Sequence, residues 1–205
     1  NYSSGKMGYS LAEACRNAGA EVTLISGPVA LTAPENVEFV SIKTAKEMMD
    51  AAWQATRRAD IFIAAAAVAD YHVANRADEK IKKTDDSDEM TITLKKNPDI
   101  LATISLGDDR PLCIGFAAET QDILRHAKEK LERKGLDMIC LNDVSGGKVF
   151  GKEENELIII HRNGEEVPVP KGMKADVAEI IVSEIAKLVG ANSSIEGSYF
   201  RVGDQ

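Results

Sequence analysis

Apolar and polar positions along the chain switch repeatedly between a helical period and short, continuous apolar runs. Residues 4–18 place Leu11, Ala12, Cys15 and Ala18 on one helical face and close on "NAGA", a C-terminal stop. "EVTLIS" (21–26) is a short strand ended by Gly27-Pro28, and "VEFVSI" (37–42) is a second. Thr44 is placed to cap a helix over "AKEMMDAAWQATRRA" (45–59). "DIFIAAAA" (60–67) is apolar throughout, as in strands buried on both faces. "MTITLKK" (90–96) reads as a strand or edge ribbon, and "NPDILATI" opens a short helix with Pro98 near its first turn. "PLCIGFAAE" (111–119), a helix over 122–134 and "DMICLND" (137–143) repeat the alternation. "NELIIIHRNGEEVPVP" (155–170) predicts a hairpin around Asn163-Gly164, and "ADVAEIIVSEIAKLVG" (175–190) a closing amphipathic helix.

Strands that alternate with helices, and that are apolar on both faces, define an α/β protein with a mostly parallel, doubly wound sheet in three layers. The hairpin adds an antiparallel end to it. Residues 1–190 form one expected domain, and the small, polar stretch 191–205 is read as a tail that is frayed or incidental. The charged stretch 72–89, "HVANRADEKIKKTDDSDE", is the expected irregular segment, long enough to be a lid.

Charge changes the picture of possible partners. Lys plus Arg number 25 against 33 Asp plus Glu, a net charge of -8, which argues against a sequence-blind nucleic-acid binder. A local basic pocket for a small polyanion is still compatible with it. Cys15, Cys113 and Cys140 are odd in number and far apart, and read as free thiols of a reducing cytoplasm. No apolar run approaches the ~20 residues of a membrane span. His72, His126 and His161 share no ligand spacing, and no Ser-His-Asp or Cys-His pattern is present.

The candidate chemistry lies where an open α/β sheet binds ligands, outside the carboxyl ends of its parallel strands. The chain begins with Asn1 and runs through Ser3, Ser4 and Gly5 into the first helix. Such a start offers helix-terminal amides to a phosphate or carboxylate, although simple N-capping explains the same residues. It is not a Walker loop. "AAAAVAD" allows close backbone approach or, equally, tight strand–helix packing. Lys80, Lys82 and Lys83 in "EKIKK" are a charge run, and Lys130 and Lys134 share one helix face. Glu119, Asn142 and Asp143 stand at further strand ends. Together these features suit a phosphorylated small molecule, with a nucleoside triphosphate favoured.

"NYSSGKMG", "AAAAVADY", "EKIKK", "KKNPDI", "GFAAET" and "LNDV", in this order, resemble the phosphopantothenoylcysteine synthetase family. In bacteria this domain is commonly the C-terminal half of a bifunctional coenzyme A biosynthesis protein. The resemblance implies a cytoplasmic ligase that uses CTP and Mg²⁺ to join 4′-phosphopantothenate to L-cysteine through an acyl-cytidylate. It implies a homodimer, and a flavin-dependent decarboxylase domain fused to it or associated with it. By the same resemblance Asn1 acts on the acyl-cytidylate, and Lys80 meets the phosphates during activation. Ala64, Ala65, Ala66, Asp70, Asn97, Pro98, Asp99, Ile100, Phe116, Lys130 and Lys134 surround CTP. Asn1, Ser3, Ser4, Gly5, Ala66 and Ala67 face the phosphopantothenate, and Asp70 is the candidate metal ligand. The family has a strand and loop before the position of Asn1, so the sheet is expected without its first strand here. Two other classes stay open: a dinucleotide oxidoreductase, whose G-x-G-x-x-G pattern "GKMGYS" lacks at the first glycine, and a non-catalytic nucleotide sensor.

Overall fold

Side chains on the central strands alternate between two separate apolar cores. On the strand Met138–Asp143, Met138 and Cys140 enter one core while Ile139 and Leu141 enter the other. Period-two alternation with both faces apolar requires a cover on each side. A computed structural model describes residues 4–75, 90–119, 122–143 and 154–196.

In chain order the elements are α1 (Lys6–Asn17), β1 (Thr23–Ser26), β2 (Glu38–Ser41), α2 (Ala45–Thr56), β3 (Ile61–Ala64), β4 (Tyr71–Val73) and β5 (Leu94–Lys96). They continue with α3 (Ile100–Ser105), β6 (Leu112–Glu119), α4 (Ile123–Arg133), β7 (Met138–Asp143), β8 (Glu154–His161), β9 (Glu166–Met173) and α5 (Lys174–Glu196). The main sheet has the order β3-β6-β7-β8-β9. β3, β6 and β7 run parallel, and β8 and β9 add two antiparallel strands. Leu11 and Ala14 of α1 and Val177, Ala178, Ile181 and Ile185 of α5 cover one face; α2, α3 and α4 cover the other with Ala52, Ile100, Leu101, Ile104, Ala127 and Leu131. This is the three-layer α/β fold expected from the sequence.

Local signals explain most element ends. The Thr44 hydroxyl accepts from Glu47 N at 3.1 Å, and Asp99 Oδ1 accepts from Ala102 N at 3.0 Å, which starts α2 and α3. At the hairpin, Gly164 takes φ 90 while Asn163 Oδ1 accepts from Glu165 N. That is a type I turn closed by a left-handed glycine, not a two-residue I′ turn.

Several elements differ from the sequence expectation. The strand foreseen over 60–67 ends at Ala64, and the following alanines leave the ladder. The segment foreseen as irregular from residue 72 opens with strand residues, since β4 pairs antiparallel with β5 through Tyr71↔Lys96, His72↔Lys95 and Val73↔Leu94. α5 continues through Glu196, past the foreseen end at Gly190. β1 and β2 form a separate parallel pair. Among the described residues no strand joins the β1 and β3 edges, and both strands line one large cleft.

Buried polar groups away from that cleft are paired. Asp137 accepts from both guanidinium nitrogens of Arg110, at 2.9 and 2.7 Å, and from Cys113 N at 2.8 Å. Glu184 on α5 meets His161 Nε2 at 3.0 Å and Lys187 Nζ at 2.6 Å, tying α5 to the end of β8. Burial raises the Cys113 thiol to about 11 and pushes Cys140 up as well, so neither is a nucleophile at neutral pH. No described helix is long and apolar enough to cross a membrane.

Candidate active site at the strand ends

β1 pairs with β2 in a separate two-stranded sheet, while β3 is the edge strand of the main sheet, next to β6. The carboxyl ends of the parallel strands β3, β6 and β7 are where open α/β sheets bind ligands. One open space runs along β1 and β3 and takes in these strand ends, among many other residues.

Most residues singled out in the sequence line this cleft: Ser4 and Gly5, Ala64 to Ala67, Asp70, Asn97 to Ile100, Phe116, Lys130 and Lys134. Asn1, Ser3 and Lys80 lie outside the described residues. Asn142 lines the cleft from the end of β7.

α1 starts differently from a serine-capped helix. Gly5 is the cap residue at φ 74, without a side-chain cap, while Ser4 Oγ accepts from Lys6 N at a long 3.4 Å. A Cβ on Gly5 would stand 3.1 Å from Val29 Cγ1. The left-handed backbone and the close approach both favour glycine. Tyr9 then fixes the helix to β1 through its hydroxyl, which donates to Ser26 Oγ at 3.0 Å.

The remaining site residues are joined by five contacts. Asn97 N donates to Asp70 O at 2.7 Å and its side-chain amide donates to Ala69 O at 2.7 Å, which holds the turn after β3 against the start of α3. Asp99 caps α3 with one carboxylate oxygen and pairs with Lys134 Nζ at 2.7 Å through the other. Lys130 Nζ donates to the Phe116 carbonyl of β6 at 2.7 Å. Burial works to raise the Asp99 carboxyl, but hydrogen bonds from Lys134 and Ala102 N, with the charges of Lys134 and Lys130, bring it below the usual carboxylate value. Asp99 thus stays ionised and keeps Lys134 in place. The Asn97–Ile100 element, the β3 turn and α4 are one unit.

Sequence reasoning overlooked His72, whose Nδ1 lies 2.8 Å from Asn97 Oδ1, and the cleft cations Arg133, Lys171 and Lys174. The helical spacing of Lys130, Arg133 and Lys134 could have revealed Arg133. Nothing local marks the other three. Among the described residues no cluster of three or more His, Cys, Asp or Glu could hold a metal ion. Asp70 is one of several exposed carboxylates lining the cleft, and a lone carboxylate at the strand end suits a cation carried mainly by phosphate oxygens.

A mainly parallel sheet edge with helices covering both faces defines a Rossmann-like α/β fold. The chain belongs to the family described as the DNA/pantothenate metabolism flavoprotein C-terminal domain, whose model matches residues 1–189. It is 49% identical over 192 residues to the coenzyme A biosynthesis bifunctional protein CoaBC of Vibrio vulnificus strain YJ016, covering 93% of this chain and 48% of that protein. The chain therefore spans about half the length of that relative. The crystal structure of a CoaBC C-terminal domain is similar at 36% identity and a TM-score of 0.78, covering 93% of this chain and 86% of that one. A Cab2 variant in complex with phosphopantothenate-cysteine, 16% identical, shares the fold at a TM-score of 0.76 over 97% of this chain and 82% of that one.

Proposed function

We propose that the chain is the ligase domain of coenzyme A biosynthesis, joining 4′-phosphopantothenate to L-cysteine at the expense of CTP. The observation that carries this reading is that hydrogen bonds and an ion pair join the Asn97–Ile100 helix start to the Ala69–Asp70 turn and to Lys134, while Lys130 is anchored on β6. Family membership and the likeness to a CoaBC C-terminal domain support it.

The proposed reaction has two steps. The pantothenate carboxylate attacks the α-phosphorus of CTP, giving an acyl-cytidylate and pyrophosphate. The cysteine amine then attacks the acyl carbon and CMP leaves with the bonding electron pair. Neither step needs a protein nucleophile, in keeping with the inert buried thiols; the protein supplies orientation and charge stabilisation. Backbone groups at Ala64–Ala66 and Asn97–Ile100 hold the nucleotide beside Phe116. The ammonium groups of Lys130 and Lys134 offset its negative charge. Lys80 is assigned to the phosphates in the first step, and Asn1 to the carbonyl oxygen that gains charge in the second. Ser3, Ser4, Gly5, Ala66 and Ala67 are assigned to the phosphopantothenate. Mg²⁺, held on the protein side by Asp70, would neutralise phosphate charge. A homodimer, and a flavin-dependent decarboxylase domain fused to the chain or associated with it, belong to the same proposal.

The test is nucleotide-resolved turnover with 4′-phosphopantothenate and Mg²⁺, supplying CTP or ATP with and without cysteine. CMP, pyrophosphate and a cysteine amide formed together from CTP support the ligase, and an adduct that accumulates without cysteine supports the order of steps. Folded protein that forms no nucleotide-dependent product overturns it.

A further inference from the structure

Asn97 makes three contacts that together fix the direction of its side-chain amide. Its backbone N–H goes to Asp70 O and its amide nitrogen to Ala69 O, both at 2.7 Å. A backbone carbonyl can only accept, so the amide nitrogen faces Ala69 and the amide oxygen faces the other way. There the oxygen meets His72 Nδ1 at 2.8 Å. An oxygen that can only accept requires a donor opposite it. The imidazole must carry its proton on Nδ1, and in the neutral ring Nε2 keeps its lone pair.

The topology makes this contact informative. His72 is the middle residue of β4, opposite Lys95, while Asn97 is the first residue beyond β5. The ring closes the end of the β4–β5 ribbon where the turn after β3 meets the start of α3. Two residues further on, Asp99 caps α3 and holds Lys134. His72, Asn97 and the Ala69–Asp70 backbone form a chain of hydrogen bonds, and all of them line the cleft. The three paired positions are continued by backbone bonds from Ala74 N to Thr93 O and from Asn97 N to Asp70 O, and the His72 contact adds a side-chain clamp to the second of these ends.

We propose that His72 is a positioning residue: its Nδ1–H fixes the Asn97 amide and thereby holds the Ala69–Asp70 turn against the start of α3 in the nucleotide-binding arrangement. The nucleotide part of this statement rests on the function proposed above, whereas the tautomer does not. Partners of this kind, one step removed from a ligand, orient the group that touches it.

Two measurements test it. In ¹⁵N-histidine NMR spectra of the protein without nucleotide, at a pH where the ring is neutral, His72 is expected as the Nδ1–H tautomer. An Nε2–H tautomer overturns the proposal whatever the ligand is. CTP titration by calorimetry then compares His72→Asn, which places an amide donor where Nδ1 sits, with His72→Leu and His72→Asp. His72→Asn is expected to bind CTP within about twofold of the unmodified protein. His72→Leu and His72→Asp are expected to weaken binding about tenfold, equivalent to about 1.4 kcal/mol, with the thermal midpoints of the three variants alike. Equal affinity for His72→Asp and the unmodified protein, or His72→Asn binding as poorly as His72→Leu, overturns the positioning role. If the unmodified protein does not bind CTP, the function proposed above fails, and the tautomer alone decides the link from His72 to Asn97.

Discussion

β7 buries Met138, Ile139, Cys140 and Leu141 with at most 1% of each exposed, whereas β2 leaves Phe39 45% exposed and β1 becomes buried only at Ser26. Both regions consist of short, apolar strands in an α/β frame. They differ in what surrounds them. β7 has a hydrogen-bonded strand on each side and helices on both faces. β1 has one partner strand and lines the cleft. β7 lies in a packed scaffold, whereas β1 and β2 have no such cover among the described residues.

Substitutions can break this comparison, and the largest effect is expected in the scaffold. Ile139→Ala should cost about 4 kcal/mol in denaturant unfolding, and Val40→Ala on β2 about 1 kcal/mol, because only the first leaves a closed cavity. Similar losses at both sites would show that the two regions are equally packed. Glu184→Ala should cost about 2 kcal/mol at neutral pH, since it strips His161 of a buried partner. The hydrogen bond from Lys187, opposed by burial and helped by the hydrogen bond with His161, holds the Glu184 carboxyl below its ordinary value. Its contribution is fully present above the unfolded value of about 4.3 and is lost as pH falls through the lower folded one. The variant and the unmodified protein should therefore converge in stability on the acid side.

On the cleft side, affinity should respond more than stability. Lys134→Gln removes the partner of Asp99 and is expected to weaken CTP binding about tenfold, with an unfolding midpoint shifted little. A large stability loss without an affinity change would place Lys134 in the scaffold. Gly5→Ala should cost about 1 kcal/mol by thermal unfolding, from the left-handed backbone at the start of α1. The smallest effect belongs to the exposed Lys46–Asp50 pair on α2. Lys46→Ala should leave the thermal unfolding midpoint unchanged in the same assay, because solvent screens an exposed pair.

The scaffold was more legible in the sequence than the cleft. Runs such as "DMICLND" and "ADVAEIIVSEIAKLVG" carry their burial in their own periodicity, and β7 and α5 form where that pattern places them. β4 carries no such signal. "YHV" becomes a strand only because Leu94–Lys96 pairs with it, and a window of neighbouring residues does not contain that partner. The site shows the same division. The residues of "NPDI", with Lys130 on α4 and Lys134 at its C-cap, stood out as motifs. The ion pair from Asp99 to Lys134, the hydrogen bond from Lys130 to Phe116 and the clamp of His72 on Asn97 join positions that only the fold brings together. Motif spacing can name such residues but cannot show that they form one unit.

Hydrogen–deuterium exchange with and without saturating CTP tests most directly the division between a packed scaffold and a ligand-binding cleft. Slowed exchange is expected in residues 64–70, 97–104, 116–118 and 130–134, with β8 and β9 unchanged. Protection confined to β8 and β9, or no change at saturation, would contradict it.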